Sequence, residues 1–234
     1  MNRFFKRWMP AKDEVGKPAR TARRALNMLR REYYGEPLVE SEVCSDPMDQ
    51  FSNWFDEAVK HVRDDPNAML LATADKHGRP SSRTVLLKEF DETGLVFYTN
   101  YESRKARQIL ENPNICLTFY WPDLLRQVHI EGTAEKVPES QSDAYFRTRP
   151  PATQVGAWTS IQSTPIPSRE VLNQKFKEME QKFDQQEIPR PPHWGGFKVT
   201  PHRFEFWQGR LNRLHDRIQY TRHQSSWKIE RLSP

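Results

Sequence analysis

The residues best equipped for chemistry lie in one stretch, Glu205-Phe-Trp-Gln-Gly-Arg-Leu-Asn-Arg-Leu-His-Asp-Arg217, which holds three Arg, one His, one Gly and two carboxylates. Phe204, Phe206 and Trp207 read as the end of a strand, and Gly209 as a residue that permits a turn most others would resist. Arg213 and His215 are two apart, so in an extended segment they face the same side, and Arg217 continues that face. A guanidinium beside an imidazole can bind an anionic or polar planar ligand and move a proton near neutral pH. A charge-rich strand edge with solvated arginines and Asp216 as a surface partner accounts for the same composition.

Two further groups suit anions. Ser103-Arg104-Lys105 precedes a short helical run, 106–111, with Ser103 placed as its N-cap. The first turn of a helix offers free N–H groups and the positive end of its dipole, so two cations there complete a phosphate cradle. The stretch lacks a Gly-rich loop and is not a P-loop, and Ser-Arg-Lys alone is commonplace on surfaces. Tyr145 and Arg149 sit at i and i+4 on one helix face, followed by Thr153, a set able to clamp a phosphate. The seven histidines show no metal-ligand spacing, so no metal is expected.

The run Glu-Phe-Trp-Gln-Gly…Arg-Leu-His-Asp-Arg resembles the C-terminal signature of the pyridoxine (pyridoxamine) 5′-phosphate oxidases, and the resemblance extends from about Leu29 to Pro234. It implies an α+β fold: an FMN-binding split β-barrel, antiparallel and Greek-key-like, with surrounding helices, in a homodimer whose flavin site draws residues from both subunits. Arg-Thr-Val-Leu-Leu-Lys (83–88), Tyr98-Thr99 and Ser-Arg-Lys (103–105) are similar to the family's FMN-binding stretches. Transferred by position, Arg83, Arg104 and Lys105 hold the FMN phosphate. The segment Thr84, Val85, Leu86 and Leu87 faces the flavin ring through its backbone, and Tyr98 and Thr99 lie beside it. Gln127 is implied as a hydrogen-bond partner of the ring, with Gln162, Ser163, Trp207 and Arg217 as further FMN contacts. Lys88, Tyr145, Arg149 and Thr153 are implied as the substrate-phosphate set, Thr153 standing where the family usually has Ser. Arg213, Leu214 and His215 are implied to hold the substrate's pyridine ring, with Arg213 and His215 catalytic. Leu-Arg-Arg-Glu-Tyr (29–33) resembles a segment that folds over the substrate, making Arg30, Arg31, Glu32 and Tyr33 lid candidates; an amphipathic helix with a solvated basic face explains that segment equally well.

The elements that must position these residues can be read in order. Thr21 caps an expected helix through Tyr33, and Asp46-Pro47 starts a second, with Phe51, Trp54, Phe55 and Val59 as a buried stripe. Strands are expected over 68–73, 82–88, 95–100, 115–121 and 125–132, with hairpin chemistry at His77-Gly-Arg-Pro80 and Glu92-Thr-Gly94. Short links between them point to an antiparallel meander that closes into a barrel. Residues 138–149 and 171–183 read as helices, and the last strands start at Trp194-Gly-Gly-Phe197 and end with Trp227–Pro234.

The 234 residues suffice for one large domain, read as a basic flexible arm over 1–28 and an oxidase domain over 29–234. Ten Lys/Arg against Asp13 and Glu14 give residues 1–31 a charge of +8, leaving the remainder at −3, which does not suit a nucleic-acid-binding surface. That arm fits a mitochondrial presequence only in part, because it is poor in Ser and contains Asp13 and Glu14. Mean hydropathy of −0.88 and the absence of a long apolar run argue against a membrane span. The distant Cys44 and Cys116 suit reduced thiols in a cytoplasmic protein. The expected partners are pyridoxine or pyridoxamine 5′-phosphate and O2. A flavin- or B6-binding carrier and a nicotinamide-dependent flavin reductase are the competing readings, since fold alone does not decide function.

Overall fold

The computed structural model describes residues 32–234, of which Tyr33–Pro234 form one compact unit. The helix expected from Thr21, and with it Arg30 and Arg31, lies outside the described residues. Among the described residues no helix is long and apolar enough to cross a membrane.

Helix α1 spans Pro47–His61, with the Asp46 carboxylate accepting from Met48 N and Pro47 filling a first-turn position that needs no N–H partner. Its inner face carries Phe51, Trp54 and Ala58; Phe55 is half-buried and Val59 is 56% exposed, so the stripe is narrower than expected and turns on Ala58 instead of Val59. Nine strands follow: β1 (Ala68–Ala74), β2 (Pro80–Leu86), β3 (Glu89–Asp91), β4 (Gly94–Asn100), β5 (Asn114–Trp121), β6 (Arg126–Lys136), β7 (Trp194–Gln208), β8 (Asp216–His223) and β9 (Ser226–Arg231). Helix α2 (Arg104–Glu111) lies between β4 and β5. Helices α3 (Glu139–Thr148), α4 (Pro151–Thr159) and α5 (Arg169–Lys182) lie between β6 and β7. All pairings are antiparallel, in the order β2-β1-β5-β6-β7-β4-β3, with β8 on β7 and β9 on β8.

Strand β7 is where the sheet divides. Its first part pairs with β4 and its last part, Arg203–Gln208, with β8, while β6 runs along the opposite edge of both. The register shifts between Glu131 and Gly132, opposite Arg203 and Pro201. Pro201 lacks an N–H to give to the ladder and sits where a bulge excuses its absence. The result is the split barrel expected of the chain. Its inside is filled by Leu71, Phe97, Phe119, Ile130, Phe204, Phe206 and Tyr220, all fully buried.

Three expectations need correction here. The helix read over 138–149 is present as α3 but releases Arg149, which has left helical geometry as a residue preceding proline tends to, and a second helix that was not expected, α4, follows from Pro151. The second strand ends at Leu86, leaving Lys88 outside it, and the short β3 lies where no strand was expected. Gly209 is needed for close packing, since a Cβ there would lie 2.7 Å from Cδ1 of the Tyr33 ring; the positive φ angles of this turn belong to Asn212 (57°) and Arg213 (64°).

Candidate active site

A cationic pole forms where β1, β2 and α2 meet. Ser103 is fully buried and caps α2 through its hydroxyl, which accepts from Ala106 N at 3.3 Å. Lys105 points inward, its Nζ donating to Thr99 Oγ1 (3.2 Å) and Gln162 Oε1 (3.3 Å). Arg83 donates to Thr73 Oγ1 (2.7 Å) and Ser81 Oγ (2.6 Å), which in turn donate to Gln108 Oε1 at 2.6 and 2.7 Å. Both hydroxyls therefore offer lone pairs to the guanidinium. Among the described residues no carboxylate pairs with Arg83, Arg104 or Lys105. Burial pushes Lys105 down to about 8, with the charge of Arg83 adding to the effect. Burial lowers Arg83 too, helped by Arg104. Desolvated cations lacking counter-charges are costly unless an anion joins them, and α2 presents its free N–H groups at the same place. Ser163 is held there by Arg104 N, which donates to its hydroxyl at 3.3 Å.

From this pole a cavity of about 800 Å3 runs between the strands and the α3–α4 pair. Thr84, Val85, Leu86, Lys88, Tyr98, Thr99, Lys105, Tyr145, Arg149, Thr153 and Gln162 all line it, so eleven residues singled out in the sequence converge. Leu87, whose side chain is core, does not, and neither do Arg83, Arg104 and Ser163, so Lys105 is the cation that brings this pole to the cavity wall. The far end is a second cationic pole. Arg149 donates through Nη2 to Thr153 O (2.9 Å), while its Nη1 is buried with no partner. Burial lowers its pKa. An orphaned N–H on a buried guanidinium marks a place for an acceptor oxygen. Thr153 turns its hydroxyl onto Pro150 O at 2.8 Å, and Lys88 is exposed at the rim.

The remaining candidates gather at the other end of β7. His215 is 4.6 Å from the Trp207 ring and 5.2 Å from that of Tyr33. The Arg213 guanidinium lies 5.9 Å above Tyr33. Asn212 and Arg213 form a 3-10 turn, Leu211–Arg213, so Arg213 and His215 do not share the face of an extended strand as the spacing suggested. A non-glycine residue at φ 64° is strained, and such strain concentrates at functional sites. His215 Nδ1 accepts from Arg210 N at 3.0 Å, which puts the ring proton of the neutral form on Nε2. Burial, then the charge of Arg213, lowers the pKa of His215. Arg217 is held by Glu205 through two bonds of 2.7 and 3.1 Å, and Gln127 stands opposite Trp207 on β6. Leu214 is 67% exposed, and Glu32, the first described residue, is exposed too. None of this group lines the 800 Å3 cavity.

Sequence reasoning passed over Trp194, Asn100 and Ser160 in the cavity wall, and Thr73, Ser81 and Gln108 behind Arg83. The hairpin at His77–Pro80 was a usable signal for two of them, because its register sets Thr73 opposite Ser81.

Comparison with known proteins agrees with this geometry. Residues 55–183 match the model of the family described as pyridoxamine 5′-phosphate oxidase, and residues 194–234 match one described as the pyridoxine 5′-phosphate oxidase C-terminal dimerisation region. The chain is 55% identical over 213 residues to a pyridoxine/pyridoxamine 5′-phosphate oxidase of Rubrobacter xylanophilus, covering 91% of this chain and 98% of that one. It is 54% identical to the protein of that name from Nostoc punctiforme, covering 88% and 97%. Among solved structures it is similar to PhzG of Burkholderia lata in complex with tetrahydrophenazine-1-carboxylic acid, with a TM-score of 0.80, 32% identity and coverage of 86% and 99%. A pyridoxamine 5′-phosphate oxidase-related, FMN-binding protein of Nostoc punctiforme shares the fold, with a TM-score of 0.62 and 20% identity, covering 79% and 97%. The relatives are bacterial, which gives the mitochondrial reading of the N-terminus no support.

Proposed function

Because the chain belongs to the pyridoxamine 5′-phosphate oxidase family of FMN-dependent oxidoreductases, we propose that it oxidises pyridoxine 5′-phosphate and pyridoxamine 5′-phosphate to pyridoxal 5′-phosphate, with the cytoplasm as its compartment. The observation that supports this most directly is one cavity with a cationic, acid-free pole at each end. Two flat ligands that each bear a phosphate need such a cavity, and a single phosphorylated ligand would leave one pole uncompensated.

FMN, when bound, supplies the two-electron acceptor, and O2 takes those electrons on to H2O2. The alcohol thereby loses two electrons and two protons; the amine loses the same and, with one water, releases ammonia. In this reading Arg83, Arg104 and Lys105 bind the FMN phosphate and the 84–86 backbone borders its ring. Lys88, Tyr145, Arg149 and Thr153 bind the substrate phosphate and fix the reacting carbon near the ring. Arg213 and His215 lie outside the cavity of their own chain, so the reading takes them from the second subunit of a homodimer, with Trp207, Gln127 and Arg217 beside them. The matched C-terminal dimerisation region includes Trp207, Arg213, His215 and Arg217 and supports that arrangement. Burial and the charge of Arg213 favour neutral His215. With Nδ1 accepting from Arg210 N, its Nε2–H is left to donate to the substrate, while Arg213 polarises the substrate oxygen or nitrogen.

The test is a visible spectrum of the FMN-loaded protein without oxygen, before and after adding pyridoxine 5′-phosphate. Bleaching that reverses in air, with formation of pyridoxal 5′-phosphate, is the expected result. A flavin that stays oxidised would overturn the oxidase in favour of a carrier, and bleaching by NADPH alone would favour a reductase.

A further inference from the structure

We propose that Trp194 is a positioning residue for the substrate-phosphate clamp: its indole face holds the Tyr145 ring and the Arg149 guanidinium in the geometry that receives the phosphate. The inference rests on the reading of Tyr145 and Arg149 as that clamp.

Trp194 is the first residue of β7, is 8% exposed and borders the cavity. The Arg149 guanidinium carbon lies 4.5 Å from its ring centroid. Tyr98 is parallel to the indole at 5.5 Å and 9°, Tyr145 at 6.2 Å and 4°, and the two tyrosines stack on one another at 3.9 Å and 11°. Phe146 closes the group edge-on at 5.2 Å from Trp194. Among the described residues the Arg149 guanidinium makes one hydrogen bond and has no carboxylate partner. One bond leaves a planar fork free to rotate about it. The indole face removes that freedom, because a guanidinium is attracted flat or near-flat to an aromatic ring, and this holds Nη1 where an acceptor is needed.

The indole is itself held. Trp194 N donates to Pro191 O at 3.0 Å, and Trp194 O accepts from Arg190 Nη1 at 2.7 Å. Arg190 also pairs with Asp143 on α3, at 2.6 Å, so the start of β7 is tied to the helix that bears Tyr145. Gly195 and Gly196 allow this closeness: a Cβ on Gly195 would collide with the Tyr101 hydroxyl and lie 2.9 Å from Ser142 Oγ, and one on Gly196 would lie 2.8 Å from the Tyr98 ring.

Steady-state kinetics of the FMN-loaded enzyme with phosphorylated and unphosphorylated pyridoxine provides the test. Trp194→Leu should raise KM for pyridoxine 5′-phosphate about tenfold, keep kcat within about twofold, and lower the preference for pyridoxine 5′-phosphate over pyridoxine by about the same factor. Trp194→Phe, which keeps a ring face, should recover most of the loss. Equal losses on both substrates would reduce Trp194 to a structural part, and no change on either would remove it from the clamp. Should Trp194→Leu not fold, competitive inhibition of Trp194→Phe by inorganic phosphate decides: weakening by about threefold supports the proposal and unaltered inhibition overturns it. A wild-type enzyme that oxidised both substrates alike would instead overturn the clamp reading, a result distinct from a Trp194 variant with an intact phosphate preference.

Discussion

Around the first turn of α2, three cations gather and none forms an ion pair among the described residues, whereas along β7 to β9 Arg203, Arg210, Arg217 and Arg231 each have a carboxylate. The pKa values separate the two regions in the same sense. Lys105 and Arg83 are pushed down by burial, while Arg217 and Arg231 are pushed up, chiefly by hydrogen bonds to Glu205 and Glu40. A cation whose charge is already matched is scaffold; one left desolvated and unmatched is a receptor for a ligand that brings the charge. In the C-terminal region Arg222 lies on Trp227, and Arg213 has no acid partner among the described residues and sits at positive φ. Arg213 is exposed in its own chain, so it is unmatched without being desolvated, and its backbone strain is what sets it apart from its paired neighbours.

The comparison breaks first at Lys105. Lys105→Met should weaken FMN binding about 100-fold, the scale of losing a charge-assisted bond together with the field of a buried cation. The apo protein should lose little thermal stability, because the deleted charge has no counter-charge and the desolvation cost removed offsets the lost bonds to Thr99 and Gln162. Titration of FMN fluorescence and a melting curve check the two halves, and a destabilised apo protein would mean that Lys105 is scaffold after all. Arg213→Ala should reverse the pattern: FMN is retained while turnover falls more than tenfold, the size expected for a group that acts on the substrate. Normal turnover would remove Arg213 from the chemistry. Glu205→Ala should act on stability alone, costing about 1 kcal/mol, since the pair with Arg217 is bidentate yet only partly buried. Denaturant unfolding measures that cost, and an accompanying loss of FMN would show that Arg217 serves the cofactor as well as the strand pairing.

Local chemistry was legible in the sequence, and relationships across the fold were not. Asp46 and Ser103 cap helices as their types predict, and Tyr145 and Arg149 line one cavity, though Arg149 does so from beyond the end of α3 and not from the shared helix face that their spacing predicts. The alternation along β6 gives buried Val128 and Ile130, and the barrel follows from short links between strands. The turn at Leu211–Arg213 escaped because Asn212 and Arg213 adopt positive φ without a glycine, and only the surrounding structure can impose that. Val59 has the right type and spacing for the core stripe, but tertiary packing rotates α1 onto Ala58. Trp194 gave no motif of its own. Its role depends on the antiparallel pairing that sets Trp194 against Asn100 and brings the start of β7 beneath α3, a placement no local window contains.

The smallest effect sharpens the comparison most, because it reads the unmatched charge directly. Burial pushes Lys105 down to about 8 in the folded chain from an ordinary lysine value of 10.5. The folded pKa is the lower one, so between these values the unfolded chain binds more protons than the folded one, and the apo protein gains stability as pH rises through that window. Below about 8 both states carry the charge and the cost of burying it is present in full. A bound phosphate dianion requires that charge, so FMN binding should take up a proton near and above pH 8, and affinity should fall about twofold between pH 7 and 8 and more steeply beyond. Titrations across that range in buffers of different ionisation enthalpy would measure the uptake. Lys105→Met should abolish it, whereas Glu205→Ala should leave it intact. A slope that survives Lys105→Met would assign the proton to another group and dissolve the distinction between the two regions at its most sensitive point.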